Sequence, residues 1–336
     1  MTSSTGRGWL MSVVPKKKLA ASVLMASLAL AGCGSDSKSS NSGGRTGGDQ
    51  SINLSGVAVK GVLANATVRV TTLDGSSALG ATTTDNNGQY SLEGIDVGDG
   101  PIKVRLTTND ETQLTCDSAA GCLDGSTLRG FGEKYFFNDP DFELTAVLPG
   151  VASGQESAQL MVTPITHLAA ERIAEQGVTS AEDIESTNRA TAALLGLDGV
   201  DITSITPSDI TSNSVSSDGA VAQRYGAIVA AIAAMATEKG KSLAEVIDEV
   251  AADFASDGSL VANSSSDNTI DLADLFGGAA EAVEAAEKAG ASLGNIGTEI
   301  RQEEATSAAL TPDTQVVAED PQDTTDPTDP TDPTDP

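Results

Sequence analysis

Aromatic side chains are scarce here: one Trp, three Tyr and six Phe make up 3% of the 336 residues. Flat platforms on which sugars or bases could stack are correspondingly few. Basic residues are also in short supply, 19 Lys and Arg against 48 Asp and Glu, for a formal charge of −29. Such a surface repels phosphate backbones and argues against nucleic acid as a partner. The acidity itself reads as solubility in a salty or cation-rich medium. His167 is the only histidine. A Ser-His-Asp or Cys-His device would have to use it, yet no GxSxG elbow is present, and a lone histidine near a helix start reads as structural. HExxH and CxxC patterns are missing, and no glycine-rich phosphate loop follows a strand, so neither a metal nor a cofactor is expected. Carboxylates for a glycosidase-type pair are abundant, but abundance is not placement. No residue is therefore singled out as catalytic.

What is present begins at the N-terminus. Residues 1–32 hold four basic residues (Arg7, Lys16, Lys17 and Lys18) and no acids. Without them, 15 basic residues face 48 acidic ones, a balance of −33. The three lysines precede a short apolar run over 19–30 that ends Leu30-Ala31-Gly32-Cys33. A basic region, a brief hydrophobic run and small residues at a cut describe a secretory signal, too short to span a bilayer permanently. Leu-Ala-Gly-Cys is similar to the lipobox of bacterial lipoproteins. That resemblance implies cleavage before Cys33, its lipidation with acyl chains such as palmitate, and anchorage in a membrane. Several acyl chains hold well, at about 0.8 kcal/mol per buried CH₂. Gly34 rather than Asp after the cysteine implies, by that family's sorting rule, the outer membrane, on its periplasmic or its outer side. The stretch before Lys16 is long for such a signal, so translation starts at either Met1 or Met11. Residues 33–52, rich in Gly and Ser and poor in apolar side chains, read as a flexible tether.

From residue 53 the pattern has period two, as in half-buried strands. Strands are expected at 54–59, 66–72, 81–84, 89–92 and 102–107, with turn signals at Asp74-Gly75, Asn87-Gly88 and Asp99-Gly100-Pro101. Short strands at this spacing suggest a small β-sandwich. Residues 85–88, Asp-Asn-Asn-Gly, read as a tight hairpin turn, since the spaced ligands of an EF-hand do not follow. Gly61-Val-Leu-Ala-Asn-Ala-Thr-Val-Arg-Val70 followed by Thr82-Thr-Thr-Asp-Asn-Asn-Gly-Gln-Tyr-Ser-Leu92 resembles the carboxypeptidase regulatory-like domain. The likeness covers roughly 53–107. It implies a transthyretin-like or immunoglobulin-like sandwich, displayed outside the cytoplasm, that performs no chemistry itself. Lys60 near Asn65 is similar in placement to the Lys–Asn isopeptide pairs of surface adhesin domains. With no carboxylate partner in view, Lys60 reads instead as a solvated charge at a strand end.

Once Cys33 carries lipid, Cys116 and Cys122 remain in an oxidising compartment, and a local disulfide is the simplest outcome. So short a loop adds only about 2 kcal/mol of stability. Two further strands are expected, around Tyr135-Phe136-Phe137, read as core aromatics, and over 142–148.

Past Gly154 the period changes to that of helices. Thr163-Pro164 opens one that ends at Gly177, and Ser180 with Asp183 opens the next, to Leu195. A third over 219–239 aligns Val221, Tyr225, Ile228, Ile232 and Met235, and a Ser242–Glu245 capping box starts a fourth. Alanine-rich helices follow at 272–289 and 293–309. None has the uninterrupted apolar length of a membrane span. The phrase Val162-Thr-Pro-Ile-Thr-His-Leu-Ala169 is similar to one that follows such β-modules in proteobacterial lipoproteins. From Thr311 the chain turns acidic and ends in Thr-Asp-Pro repeats, which cannot pack a core.

The expected architecture is α+β and multidomain: signal peptide 1–32, tether 33–52, β-sandwich 53–150, α-helical bundle 155–310 and disordered tail 311–336. The expected role is non-catalytic, in binding, adhesion or envelope structure. It would involve a membrane held through Cys33 and an unidentified envelope or extracellular protein or polymer. An accessory subunit of an envelope complex and a carboxylate-dependent hydrolase are the alternatives. Contacts are expected on the loops around Cys116–Cys122 or on the helices.

Overall fold

The structure is a computed structural model that describes residues 51–98, 100–260, 270–311 and 317–318. The signal segment, Cys33, the tether before residue 51, Asp99 and the Thr-Asp-Pro repeats lie outside the described residues.

The chain is α+β, with sheets in its first half and, among the described residues, six α-helices in its second. The strands are β1 (Ser51–Val57), β2 (Leu63–Ala64), β3 (Thr67–Thr72), β4 (Ala78–Thr83), β5 (Gln89–Asp96) and β6 (Ile102–Thr107). They continue as β7 (Gln113–Thr115), β8 (Cys122–Asp124), β9 (Thr127–Arg129), β10 (Lys134–Phe136), β11 (Glu143–Leu148) and β12 (Ser157–Gln159). Four of them form an antiparallel sheet in the order β11-β6-β3-β4. A second sheet runs β12-β1-β5, a third β10-β7-β2, and β8 pairs with β9. The period of two is borne out: in β6, Ile102, Val104 and Leu106 are fully buried while Lys103 and Arg105 alternate outward. Leu92 and Ile95 of β5 lie against Gly80 of β4, where an added Cβ would come within 2.5 Å of Leu92.

The 85–88 turn is tight, with Gly88 at φ +75° and the Asp85 carboxylate accepting from the Asn87 and Gln89 N–H groups at 2.8 and 2.9 Å. It does not close a hairpin. β4 pairs with β3 and β5 with β1, so the turn carries the chain between two sheets. Its Gly88 carbonyl accepts from Ala58 N–H at 2.8 Å. Sequence pattern alone gives the turn and not the partner of the strand that leaves it.

The helices are α1 (Pro164–Glu175), α2 (Ala181–Leu194), α3 (Ala220–Lys239), α4 (Leu243–Asp257), α5 (Leu272–Lys288) and α6 (Ile296–Ser307). The expected caps form: Thr163 accepts from Thr166 N–H, Ser180 from Asp183 N–H, and Ser242 with Glu245 makes a full capping box. α3 is central, packed by α4, α5, α1 and β8, and is buried on all sides over 225–236. Of the five residues expected on one face, Val221 is 45% exposed, because it lies in the first turn before those neighbours begin. α3 is also long and apolar enough to cross a membrane, but most of it is buried inside the fold. Small residues let α3 and α5 close up: a Cβ at Gly278 would stand 3.2 Å from Ala231.

One continuous apolar core runs through both halves. The joint between them is the run 161–170, every residue of which is buried. β12, at 157–159, adds parallel to β1, and Val162 bridges Ala58, so sheet pairing continues almost to the first helix. Tyr90 Oη donates to Leu160 O at 2.5 Å from the sheet side. Tyr225 meets Thr163 Oγ1 at 2.9 Å from the helical side. Near the other end, Ala318 is buried, with its N–H donating to Gly258 O at 2.8 Å. Arg172 donates to Ala318 O and to the last carbonyls of α4. Ala318 falls within the 311–336 stretch expected to pack nothing, and this one residue is docked.

Candidate functional site

Lys60 is not a solvated strand-end charge. It is fully buried, and its ammonium donates to Asp117 Oδ1 at 2.8 Å and Oδ2 at 3.1 Å. Asp117 Oδ2 also accepts from Gly61 N–H at 2.6 Å. Burial pushes the Lys60 ammonium down and the Asp117 carboxyl up, and each charge partly offsets the shift of the other. The carboxylate partner missing from local sequence thus lies 57 residues away. Both its oxygens engage the ammonium, the arrangement of an ion pair.

Asp117 follows directly on Cys116, which is bonded to Cys122. The loop so closed is largely packed: Cys116, Asp117, Ser118, Gly121 and Cys122 are buried, and only Ala119 and Ala120 are exposed. α3 seals it, with Thr237 Oγ1 donating to Gly121 O at 2.8 Å. The disulfide loop expected to display contacts therefore spends most of its surface on the fold. Tyr135 and Phe137 join the core, as expected of them. Phe136 points out, 66% exposed, because β10 is an edge strand whose alternate residue has no cover.

His167 is buried on α1, and its Nδ1 accepts from Thr145 N–H on β11 at 3.2 Å. Desolvation lowers its pKa to about 4, so it is neutral at pH 7, with the proton on Nε2. Glu171 lies a turn on, 4.0 Å from Nδ1, too far and too exposed to reverse that shift. The histidine is a peg between helix and sheet.

The same helix borders a cavity of about 600 Å³, a size that suits a small ligand. Its floor is apolar, made by Leu73, Val97, Val147, Ile173 and Val178. Most of these belong to a small hydrophobic cluster separate from the main core. The rim carries Asp74, Lys103, Glu143 and Glu171. Asp74 is committed to its own turn: hydrogen bonds from Thr72 and Ser76 hold its carboxyl down at about 2. Glu143 pairs with Arg105 across β11 and β6. Glu171 is different. Burial first, then the nearby charges of Glu143 and Asp248, raise its pKa, and Lys103 only partly opposes them. Asp248 on α4 is raised likewise, by burial and by Glu143, Asp141 and Asp139.

These rim residues were not expected from sequence, since the wall joins β3–β4, β5–β6, β11 and α1. The available hints were two apolar residues next to turn signals, Leu73 and Val97, and an acid one turn after His167.

Among the described residues, no group of three or more His, Cys, Asp or Glu is placed to hold a metal ion. The chain matches no protein-family model, no curated protein and no solved structure.

Proposed function

We propose that the chain is a lipid-anchored protein of the bacterial outer membrane whose folded part binds a ligand without transforming it. The observation that carries the binding reading is the apolar-floored, acid-rimmed cleft beside α1. It is supported by the engagement elsewhere of the groups best suited to chemistry. His167 is a neutral peg, Lys60 and Asp117 pair internally, and Cys116 and Cys122 are bonded. The anchor rests on Leu30-Ala31-Gly32-Cys33. On this reading residues 53–107 are a carboxypeptidase regulatory-like scaffold of transthyretin-like form, consistent with the packing of β5 on β4. The scaffold presents the cleft through its β3–β4 and β5–β6 turns.

Two experiments test this. Cys33→Ser should move the protein from washed membranes to the soluble fraction; continued membrane attachment in high salt sinks the anchor. Ala174→Trp places a large ring at an exposed position of the cleft wall. In crosslinking from intact membranes it should remove the partners or ligands captured by the wild type. An unchanged capture profile moves function away from the cleft. A second reading, accessory subunit of an envelope complex, is favoured by Phe136 on the open edge β10. Phe136→Ser should then abolish capture of a protein partner while Ala174→Trp does not.

A further inference from the structure

The cleft's charge and shape together specify a class of ligand. We propose that it takes an organic cation, a primary ammonium on a short aliphatic chain, with the chain on the apolar surface of Leu73, Pro101 and Ala174 and the ammonium at Glu171. This rests on the reading that the cleft is the binding site, and names what it selects.

The buried Val147, Ile173 and Val178 back the cleft, and Leu73, Pro101 and Ala174 carry the apolar surface that stays open to solvent. Only an apolar group gains by covering it. At the mouth the balance of charge is negative. Asp74, Glu143 and Glu171 line it against Lys103 alone, and the charge of Asp248 on α4 acts on Glu171 as well. Arg105 is spent on Glu143, and Lys103 does not outweigh the like charges around Glu171. An incoming ammonium would relieve that repulsion and donate to the Glu171 carboxylate, half out of water, where a charge-assisted bond is stronger than at the open surface. An anionic head would meet the opposite. The net acidity of the whole chain further raises the local concentration of cations.

The test uses the full mature chain and three probes of equal chain length: hexylammonium, hexanol and hexanoate, followed by NMR shifts of the 170–179 amides. Hexylammonium is expected to bind at least about tenfold more tightly than hexanol, the equivalent of one charge-assisted hydrogen bond, and to weaken as salt is added. Hexanoate should bind weakest. Glu171→Gln should bring hexylammonium down to the level of hexanol, and Ala174→Trp should abolish both. Ala174 is exposed and Glu171 half-exposed, and Glu171→Gln keeps the side chain's size, so neither change endangers folding. Equal binding of hexanol or hexanoate overturns the cation preference and leaves the binding reading standing. Hexylammonium shifts that survive both substitutions, or no shifts at all, overturn the proposal, while the membrane crosslinking with Ala174→Trp judges the binding reading separately.

Discussion

At Lys60–Asp117 one ammonium meets one carboxylate wholly inside the fold, whereas at the α1 cleft Glu171 feels the like charges of Glu143 and Asp248 with only Lys103 to oppose them. The first arrangement is closed: each charge satisfies the other, and Gly61 N–H takes up part of the remaining acceptor capacity. Such a pair holds two distant segments in one geometry, and it has nothing left to offer a ligand. The second is open. Its carboxylates remain partly hydrated and mutually repelling, which costs the folded chain a little and makes a cation welcome. Compensated charge organises this molecule, and uncompensated charge marks the place where it can receive something.

The sharpest way to break that contrast is to uncompensate the closed pair. Asp117→Ala leaves a buried ammonium without its partner and should cost about 3–5 kcal/mol in denaturant unfolding. The double change Lys60→Met with Asp117→Asn keeps an acceptor for Gly61 N–H and should recover most of the loss. A single mutant as stable as wild type would mean that Lys60 reaches water.

Next in size is the neutral peg. His167 has its folded pKa lowered to about 4 from an ordinary 6.5, so the unfolded chain binds the proton more readily. Its contribution is fully present above pH ~6.5 and is lost as pH falls toward 4, roughly 3 kcal/mol in all. His167→Asn, which can still accept from Thr145 N–H, should flatten the stability profile over that range. A profile unchanged by the substitution would place the acid sensitivity elsewhere.

Reducing Cys116–Cys122 should lower stability by about 2 kcal/mol, given the small ring it closes. Because Asp117 sits in that ring, reduction should also bring out a larger response to Asp117→Ala, read from unfolding midpoints with and without a dithiol.

The smallest effect has the opposite sign and belongs to the open region. A carboxyl whose folded pKa is raised destabilises above that pKa, and the penalty disappears as pH falls below its unfolded value. Glu171→Gln should therefore leave stability unchanged or raise it by less than about 1 kcal/mol at pH 7, solvent screening keeping the gain small. A clear loss would show that Glu171 is paired, and would remove the contrast altogether.

What the sequence determined by itself is local. Alternation placed β6 over 102–107 and β3 from its Val68 and Val70, and capping residues Thr163, Ser180 and Ser242 set the starts of α1, α2 and α4. The pairing of two cysteines six residues apart needed no long-range knowledge. These features depend on dihedral preference, side-chain period and hydrogen bonds spanning a few residues. Only the tertiary structure decided that Lys60 is inside, that β5 leaves its turn for another sheet, that His167 pegs α1 to β11, and that a cleft opens where four chain segments meet. Each of these joins residues far apart along the chain, 57 positions for Lys60–Asp117 and 22 for Thr145–His167. A charge or a histidine is read correctly only once its neighbours are known, because burial and partner set its ionisation, and neither is a property of the segment that carries it.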